Sequence, residues 1–392
     1  DNSLVAGAVD LSTGKFFWGY FDGTNRIFQL YMWDPQTTHY FALGHVDFPL
    51  TTAQTLNGDI VFDGQGNLYI LGSTNPSNGS VNLGLRVVAA FDLQNAIANP
   101  SASRVINGSW ATQKTISARS GFNGVAFDSN GYAYLGNSTS LFKYDPTTWN
   151  LVGTNPVTTG LDNSTDLASC APPPTLTVRK NLPTGRYAST DQFTLTITTA
   201  TGAATATTTG SAFGVQPDQA GPMPVVAGDT FGVSETTGND TTNLANYSSS
   251  LACVDTANGN VTVPVNAGEV TIPAEQRKAP AVVCTFTNYP NASVMISKQL
   301  ADVNGNNPTG ASGWTVGAAL SSPAAGLSIS PSGTQTTGAT GAVPGPWNIT
   351  GFGPTSTSTN VTISETQQTG KMFVSGLCTI ITPDGSQSTQ PL

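Results

Sequence analysis

Lysine and glutamate recur at matched positions in the second half of this 392-residue chain. Lys180 ends a short apolar segment, and Glu235 lies downstream in a Gly-Val-Ser-Glu-Thr segment; Lys298 and Glu365 repeat the arrangement. A lysine amine attacks a carbonyl carbon only when it is neutral, and burial between two sheets lowers its pKa. The same burial raises the pKa of a carboxyl group, so a protonated Glu235 can polarise a neighbouring carboxamide. A buried lysine beside a buried glutamate is therefore a combination that can support amide-bond formation.

Three segments occur twice in the same order, which indicates two copies of one domain. The matched segments are 176–180 with 294–298, 232–236 with 362–366, and 250–253 with 375–378. The first copy ends in Thr285-Phe286-Thr287-Asn288, whereas no such segment follows in the second copy before Leu392. We therefore expect the closing strand of the second copy to be missing, as in a fragment.

This pattern resembles the collagen-adhesin B-type repeat of Gram-positive surface proteins and pilins, including the SpaA type. The resemblance implies a prealbumin-like β-sandwich in which a first-strand lysine condenses with a last-strand asparagine, assisted by a buried glutamate. Carried over, Lys180 is the nucleophile, Asn288 the electrophile and Glu235 the proton shuttle of an intramolecular isopeptide bond. Lys298 and Glu365 are the corresponding residues of the second copy, where no acceptor is visible.

A second interpretation of these residues involves no reaction. A lysine in an alternating strand is commonly a solvated edge residue, and a glutamate nearby commonly pairs with it. Asn181, next to Lys180, also blurs the first-strand motif. The sequence leaves both interpretations open.

The four cysteines predict an oxidising location. Cys253 and Cys284 lie 31 residues apart in the first copy, and a disulfide between them contributes about 3–4 kcal/mol through loop-closure entropy. Disulfides persist in extracellular proteins. Cys378 matches Cys253, and its partner is expected in the missing closing strand. Cys170 pairs with a cysteine outside the chain, is free, or pairs with Cys378.

A change in composition near residue 170 predicts a domain boundary. Aromatic residues concentrate before it and threonine after it, and three prolines at 172–174 favour a stiff, extended linker. The predicted divisions are 1–168, a linker at 169–175, a first sandwich at 176–290 and a second at 291–392. Apolar residues alternate with small polar ones along much of the chain, as in Phe193–Thr199, and this pattern is typical of β-strands. The single short helix candidate is Leu93–Ala98. The predicted fold is all-β: a partial β-propeller-like head followed by two prealbumin/Ig-like β-sandwich domains.

Internal repeats also occur in the first part of the chain. Phe62–Tyr69 recurs as Phe127–Tyr134, each with an Asp-x-x-Gly tetrad suited to a hairpin turn, and Trp33–Thr37 recurs as Tyr144–Thr148. This order resembles the four-stranded blades in the propeller region of some actinobacterial surface proteins. Three blades are predicted, at 4–50, 57–112 and 122–158. Three blades do not close a ring, so either blades precede Asp1 or the strands form a smaller sandwich.

Composition excludes several functions. The net charge of −9 and the 14 basic residues argue against nucleic acid as a partner. Two histidines limit acid–base and metal chemistry, and no apolar run is long enough for a membrane span. Neither a cofactor nor a metal is predicted; Asp302-Val-Asn304-Gly-Asn306 is interpreted as a hairpin turn rather than a calcium loop. Four aromatic residues either line a carbohydrate platform or, as is usual in such sheets, pack in the core: Trp18, Tyr20, Tyr31 and Trp33.

These observations predict an extracellular, cell-wall-attached or surface-attached bacterial adhesin or stalk protein. Its head would bind a surface glycan or protein, and its sandwiches would resist force and proteolysis. One alternative is a filament subunit in which copies of the chain assemble by strand donation at an open sheet edge. Another is a propeller-type carbohydrate-active enzyme. The favoured interpretation is non-enzymatic, apart from the autocatalytic bond.

Overall fold

The computed structural model describes residues 6–10, 13–50, 56–74, 78–117, 120–154, 156–158, 166–169, 171–200, 202–274, 278–323 and 325–392. These residues form β-sheets almost throughout, which confirms the all-β fold class. The one α-helix among them is α1, Ala90–Ala98, which begins three residues before the predicted helix and buries Leu93 and Ala96. No helix within the described ranges has the length and apolar character needed to cross a bilayer.

Three antiparallel sheets with neighbouring strands in chain order make up the first part of the chain. The first contains β1 (Ala6–Val9), β2 (Phe16–Asp22), β3 (Ile27–Asp34) and β4 (His39–Asp47). The second contains β5 (Leu56–Phe62), β6 (Leu68–Thr74), β7 (Ser80–Val88) and β8 (Ser109–Ser117). The third contains β9 (Gly124–Phe127), β10 (Ala133–Gly136), β11 (Ser140–Asp145), β12 (Asn150–Leu151) and β13 (Val157–Thr158). Each sheet covers one predicted blade segment; their arrangement as part of a propeller stays a prediction.

The repeated Asp-x-x-Gly tetrads form matching turns. Asp63 Oδ1 accepts hydrogen bonds from the backbone N–H groups two and four residues later, at 2.9 and 3.0 Å. Asp128 Oδ1 accepts the equivalent bonds at 3.0 and 2.9 Å. Gly66 and Gly131 have φ values of +81° and +99°, which an L side chain rarely adopts. The hairpin prediction for these tetrads is confirmed.

The second sheet lies between two apolar cores. One core contains Phe17 and Phe28 of the first sheet together with Ile70 of β6. The other contains Tyr69 of β6 and Phe127 of the third sheet. Every residue of β6 is buried, because its alternating side chains enter both cores.

The first sandwich contains ten strands in two five-stranded sheets. They are β14 (Thr175–Leu182), β15 (Phe193–Thr199), β16 (Gly202–Thr207), β17 (Gly214–Pro224), β18 (Thr230–Thr237), β19 (Tyr247–Asp255), β20 (Val261–Val263), β21 (Val265–Asn266), β22 (Glu269–Thr271) and β23 (Ala281–Pro290). One sheet has the order β17-β14-β23-β19-β20 and the other β16-β15-β18-β22-β21. Apolar residues at alternate positions of both sheets, such as Val178 and Leu195, form the core between them.

The second sandwich contains ten shorter strands. They are β24 (Ala292–Val294), β25 (Gln299–Leu300), β26 (Thr309–Gly310), β27 (Thr315–Ser321), β28 (Ser328–Ser330), β29 (Thr334–Thr336), β30 (Trp347–Thr350), β31 (Asn360–Glu365), β32 (Leu377–Ile381) and β33 (Gln387–Pro391). The main sheets have the orders β24-β30-β28 and β29-β27-β31, and β32 pairs with β33. The core is smaller, with Val316, Ala318, Val343 and Trp347 as its buried members.

Candidate functional site

The first and last strands of the first sandwich bring Lys180 and Asn288 to one face of one sheet. β14 and β23 are parallel neighbours, and Lys180 is opposite Phe286 in their register. Asn288 lies two residues beyond Phe286, and side chains two apart in a strand share a face. Both Lys180 and Asn288 are fully buried.

Glu235 reaches the same point from the opposing sheet. It lies in β18 opposite Leu195 of β15, whose side chain is in the core. The Glu235 carboxylate forms an ion pair with Lys180 Nζ through Oε1, and it is 5% exposed. Asn288 Nδ2 donates to Oε1 at 3.3 Å and to Oε2 at 3.1 Å. One carboxylate therefore contacts both groups that would exchange a proton.

An aromatic ring closes the site beneath the lysine. Lys180 Nζ lies 4.4 Å from the centroid of the Phe193 ring. Phe193 packs edge-on against Tyr247, and together with Leu182 they form a small apolar cluster beside the main core. The amine consequently has an apolar surface on one side and the carboxylate on the other.

Burial changes the acidity of the lysine. Loss of hydration lowers the pKa of Lys180 from 10.5 to about 8, although the Glu235 carboxylate opposes that shift. Positive charge on Arg186 lowers the Lys180 pKa further. A lowered pKa increases the fraction of Lys180 that is neutral, and therefore nucleophilic, at a given pH.

The orientation of the Asn288 amide favours one role for Glu235. Its Nδ2 faces the carboxylate, while Oδ1 is buried and has no hydrogen-bond partner among the described residues. This geometry suits delivery of a proton to the departing nitrogen. The sequence-based expectation that Glu235 also polarises the carbonyl would require Oδ1 to face a protonated carboxyl, which is not the arrangement observed.

The sequence analysis missed Arg186, which supports this end of the sandwich. Arg186 is 2% exposed, and its guanidinium donates to Asp191 O, Ala212 O and Gln216 Oε1 at 2.8–2.9 Å. Asp191 in turn accepts a 2.6 Å hydrogen bond from Tyr247 Oη. An isolated arginine in a turn gives no periodic signal, so only the folded contacts reveal it.

The cysteines predicted to pair are joined in the structure. Cys253 of β19 and Cys284 of β23 are directly opposite each other and form a disulfide. Cys378 of β32 is free and half-buried. Cys170 lies outside the described residues, so the alternatives for its partner stay predictions.

The second sandwich repeats part of the site. Lys298 Nζ lies 2.7 Å from Glu365 Oε2 and 4.4 Å from the Trp314 ring. Glu365 is opposite Val316, just as Glu235 is opposite Leu195. The two charged side chains are 15% and 19% exposed, so this pair is more open than the first. No asparagine donates to Glu365 among the described residues.

The structure also describes two further candidates from the sequence, the aromatic residues of β2 and β3 and the turn at Asp302. The rings of Phe16, Trp18, Tyr31 and Tyr20 form a stacked series across β2 and β3, with successive centroids 5.7, 5.7 and 6.2 Å apart. Asp302 Oδ1 accepts hydrogen bonds from the backbone N–H groups two and four residues later, at 2.9 and 2.8 Å, as expected of a turn.

Comparisons with known proteins support the fold of the first sandwich. Residues 175–290 match the SpaA-type prealbumin-like fold domain. Domains of this type are typical of surface and pilin-like structural proteins and are typically non-enzymatic, so the match indicates a structural protein of the cell surface. A search among curated proteins found no match to the chain.

One similar solved structure is PorZ, an essential bacterial surface component of the type IX secretion system of Porphyromonas gingivalis. The sequence identity is 12% and the TM-score is 0.21. The match covers 79% of this chain and 44% of the PorZ chain. This chain therefore spans less than half the length of that protein.

Proposed function

We propose that the chain is a surface adhesin or stalk protein whose first sandwich is closed by an isopeptide bond between Lys180 and Asn288. The observation that carries this proposal is the shared contact of both side chains with the buried Glu235 carboxylate. A simple edge ion pair would place the lysine in solvent, whereas Lys180 is fully buried. The solvated-edge interpretation is therefore disfavoured.

The reaction follows from the positions of the three side chains. The neutral Lys180 amine attacks Cγ of Asn288, and the new C–N bond forms as the Cγ–Nδ2 bond breaks. Glu235 accepts the proton released by Nζ and delivers it to Nδ2, which departs as ammonia. No oxidant or cofactor is needed, because one amide replaces another.

The position of the bond would let the first sandwich of a stalk resist pulling force. β14 opens the sandwich and β23 closes it, and the two strands run parallel. Tension between the two ends of the domain would therefore slide one strand past the other. A bond between Lys180 and Asn288 carries that tension directly, so residues 181–287 stay folded while the chain is pulled.

Intact mass spectrometry of the reduced, denatured 392-residue chain tests this proposal. We expect a mass below the sequence value by one ammonia, and a proteolytic fragment in which Lys180 is joined to Asn288. The Lys180→Arg variant keeps a positive charge but lacks the nucleophile, and it should have the full sequence mass. An unshifted wild-type mass would reduce the site to a buried ion pair.

The stacked aromatic residues favour adhesion as the function of the head. Trp18 and Tyr31 are only partly buried, and their rings are within 14° of parallel at 5.7 Å. Aligned rings offer flat apolar surfaces, and aromatic side chains are enriched where proteins bind partners. A glycan array probed with the full chain and with its Trp18→Ala variant tests this role. If both proteins bind glycans equally, the surface formed by the Trp18 and Tyr31 rings is not the binding site.

A further inference from the structure

We propose that a cleft between the head and the first sandwich binds a neutral oligosaccharide. The residues that define this interdomain cleft come from both domains and include Tyr69, Trp110, Trp149, Ala203 and Met223. Trp18 and Tyr31 do not line it, so the cleft is separate from the stacked rings on β2 and β3. The site adds to the adhesive role proposed for the head and is independent of the bond between Lys180 and Asn288.

The interdomain cleft has the size and the location of a ligand site. It encloses about 640 Å³. One wall is formed by residues of β6, β8 and the turn between β11 and β12, and the other by residues of β16 and β17. Binding sites for small ligands commonly enclose about 300–1,000 Å³ and often lie where two domains meet.

Contacts outside the cleft hold its two walls in place. Asn130 O, in the second Asp-x-x-Gly turn of the head, accepts a hydrogen bond from Ala227 N of the first sandwich at 2.9 Å. Gly131, in the same turn, packs so closely against the sandwich that a Cβ atom there would overlap Val225 O. The cleft is therefore largely formed before any ligand binds, which is usual for such sites.

Three aromatic residues of the head line the cleft: Tyr69, Trp110 and Trp149. Trp110 is half-buried, with the Arg86 guanidinium carbon 4.7 Å from the centroid of its ring and Phe48 packed edge-on at 5.1 Å. These neighbours fix the Trp110 ring while part of its surface stays accessible. Flat apolar rings of this kind can pack against the C–H groups on one face of a sugar ring.

Trp149 has an unusual backbone conformation for its position in this wall. Its φ is +52°, a value that bulky residues rarely adopt. Trp149 N donates to Asp145 O at 2.6 Å, and Thr38, with a φ of +58°, closes the matching turn of the first sheet on Asp34 O at 2.8 Å. The turn therefore imposes the conformation, and a tryptophan adopts it at an energetic cost. Backbone strain of this kind is concentrated at functional sites, which favours a role for this residue in binding.

Asp92 of α1 and Asn107, which precedes β8, supply polar groups to the cleft. Asn107 Nδ2 donates to Asp92 Oδ1 at 3.2 Å, and neither side chain is buried. A carboxylate accepts several hydrogen bonds, whereas a carboxamide both donates and accepts them. The pair can therefore bind two neighbouring hydroxyl groups of one sugar ring.

The charge of the cleft specifies the class of ligand. Asp92 is the one charged side chain among the described residues that line it, and the sandwich wall consists largely of small or apolar residues such as Ala203 and Met223. An anionic ligand would face the Asp92 carboxylate with no lysine or arginine of the described lining to balance it. An entirely apolar ligand would leave the Asp92–Asn107 pair without new partners. A neutral sugar offers hydroxyl groups to the pair and C–H groups to the rings.

A glycan array that carries neutral, sialylated and sulfated oligosaccharides tests this proposal with the full chain. We expect binding to neutral members, and calorimetry with one neutral oligosaccharide bound on the array then gives a Kd. The Ala203→Trp variant fills the cleft from the exposed surface of β16 and is expected to lose this binding. Thr205→Trp places the same ring two residues along the same face of β16, outside the cleft, and should bind as the wild type does.

Two further variants test the polar pair and the joint between the domains. Asp92→Asn removes the charged acceptor, and we expect binding to be about tenfold weaker. Gly131→Ala forces the sandwich away from the head, so we expect weaker binding although Gly131 does not line the cleft. Gly14→Ala is its control, because Gly14 also has a positive φ, +70°, but has open space around it. This control should keep the affinity of the wild type.

The same experiments separate this site from the surface formed by the Trp18 and Tyr31 rings. Loss of binding in Ala203→Trp, with binding kept in Thr205→Trp and Trp18→Ala, supports the cleft. Binding that survives Ala203→Trp but is lost in Trp18→Ala overturns the cleft and supports the ring surface. Equal loss in Ala203→Trp and Thr205→Trp, preference for acidic glycans, or no bound neutral glycan also overturns the cleft. The intact mass that reports the isopeptide bond is the same in each case.

Discussion

Asn288 donates both hydrogen bonds from its amide nitrogen to Glu235, and the two residues belong to opposite sheets of the sandwich. The departing nitrogen of the proposed reaction is thus bonded to the group that would protonate it. Lys180 contacts the same carboxylate. Glu235 is therefore the residue on which both proton transfers depend.

The Glu235→Gln variant tests that dependence. Glutamine keeps the size of the side chain but cannot accept and return a proton, so we expect the chain to have its full sequence mass. The matched control is Glu269→Gln, which changes an exposed glutamate of β22 in the same domain. This control is expected to lose one ammonia, as the wild type does. Equal ammonia loss in both variants would contradict the role of Glu235.

The acidity of Lys180 predicts a pH dependence in a variant that cannot react. In Asn288→Ala, Lys180 stays a free amine; burial holds its folded pKa near 8, against 10.5 unfolded. The unfolded state then binds more protons between these values, so the stability of this sandwich rises as pH increases from 8 to 10.5. The gain is about 3 kcal/mol.

The comparison that isolates this effect is the double variant Asn288→Ala, Lys180→Met. Pulse proteolysis in urea, followed through peptides from residues 175–290, measures the unfolding free energy of the sandwich at each pH. Titrating groups that do not contact Lys180 contribute equally to both variants, so their difference reports the Lys180–Glu235 pair. Parallel pH curves would show that Lys180 has an ordinary pKa.

Several parts of this site followed from the sequence, and others did not. The sequence predicts the positions of Lys180, Glu235 and Asn288, because the internal repeat marks the first two and a closing motif marks the third. Phe193 was not found, because its place beneath the lysine depends on the cross-strand register that sets Leu195 opposite Glu235. Phe193 is the first residue of β15 and Trp314 directly precedes β27, so an aromatic residue at the start of the matching segment was the signal that the sequence offered. In the head, the Asp-x-x-Gly turns were predictable because their hydrogen bonds are local.

A buried carboxyl in the head predicts the opposite pH dependence. Burial raises the pKa of Asp59 from 3.8 to about 8, and the nearby charge of Asp166 raises it further. The folded head therefore binds more protons than the unfolded head over this range. Its stability is greatest below pH 4 and is lost as pH rises towards 8. Pulse proteolysis in urea between pH 5 and 8, followed through peptides from the head, measures how the unfolding free energy of this domain changes with pH.

Removing the Asp166 carboxylate should make the stability of the head depend less strongly on pH. In Asp166→Asn, the folded pKa of Asp59 falls towards its ordinary value, so we expect the head to be more stable at pH 8 than in the wild type. Asp240→Asn makes the same change in net charge at an exposed position of the first sandwich. A response of equal size in both variants would indicate a general charge effect.

The Cys253–Cys284 disulfide should stabilise the first sandwich independently of the isopeptide bond. Replacing both cysteines with alanine in the Lys180→Arg background removes a 31-residue loop closure. We expect a loss of about 3–4 kcal/mol in the unfolding free energy of this domain. Pulse proteolysis in urea measures that loss, and the Cys378→Ala change is the control. A loss below about 1 kcal/mol would show that the unfolded state gains little freedom on opening this loop.

Extension by force gives the most direct test of the stalk. In a single chain pulled from both ends, the isopeptide bond keeps residues 181–287 out of the path of tension, so the wild type should show no unfolding step from them. The Lys180→Arg chain should gain one step of roughly 350 Å, since an extended residue spans about 3.3–3.6 Å. These measurements are made under reducing conditions, because the Cys253–Cys284 disulfide would otherwise shorten the step. If wild type and variant give the same steps, the first and last strands are not covalently joined and the resistance of the stalk to force has another source.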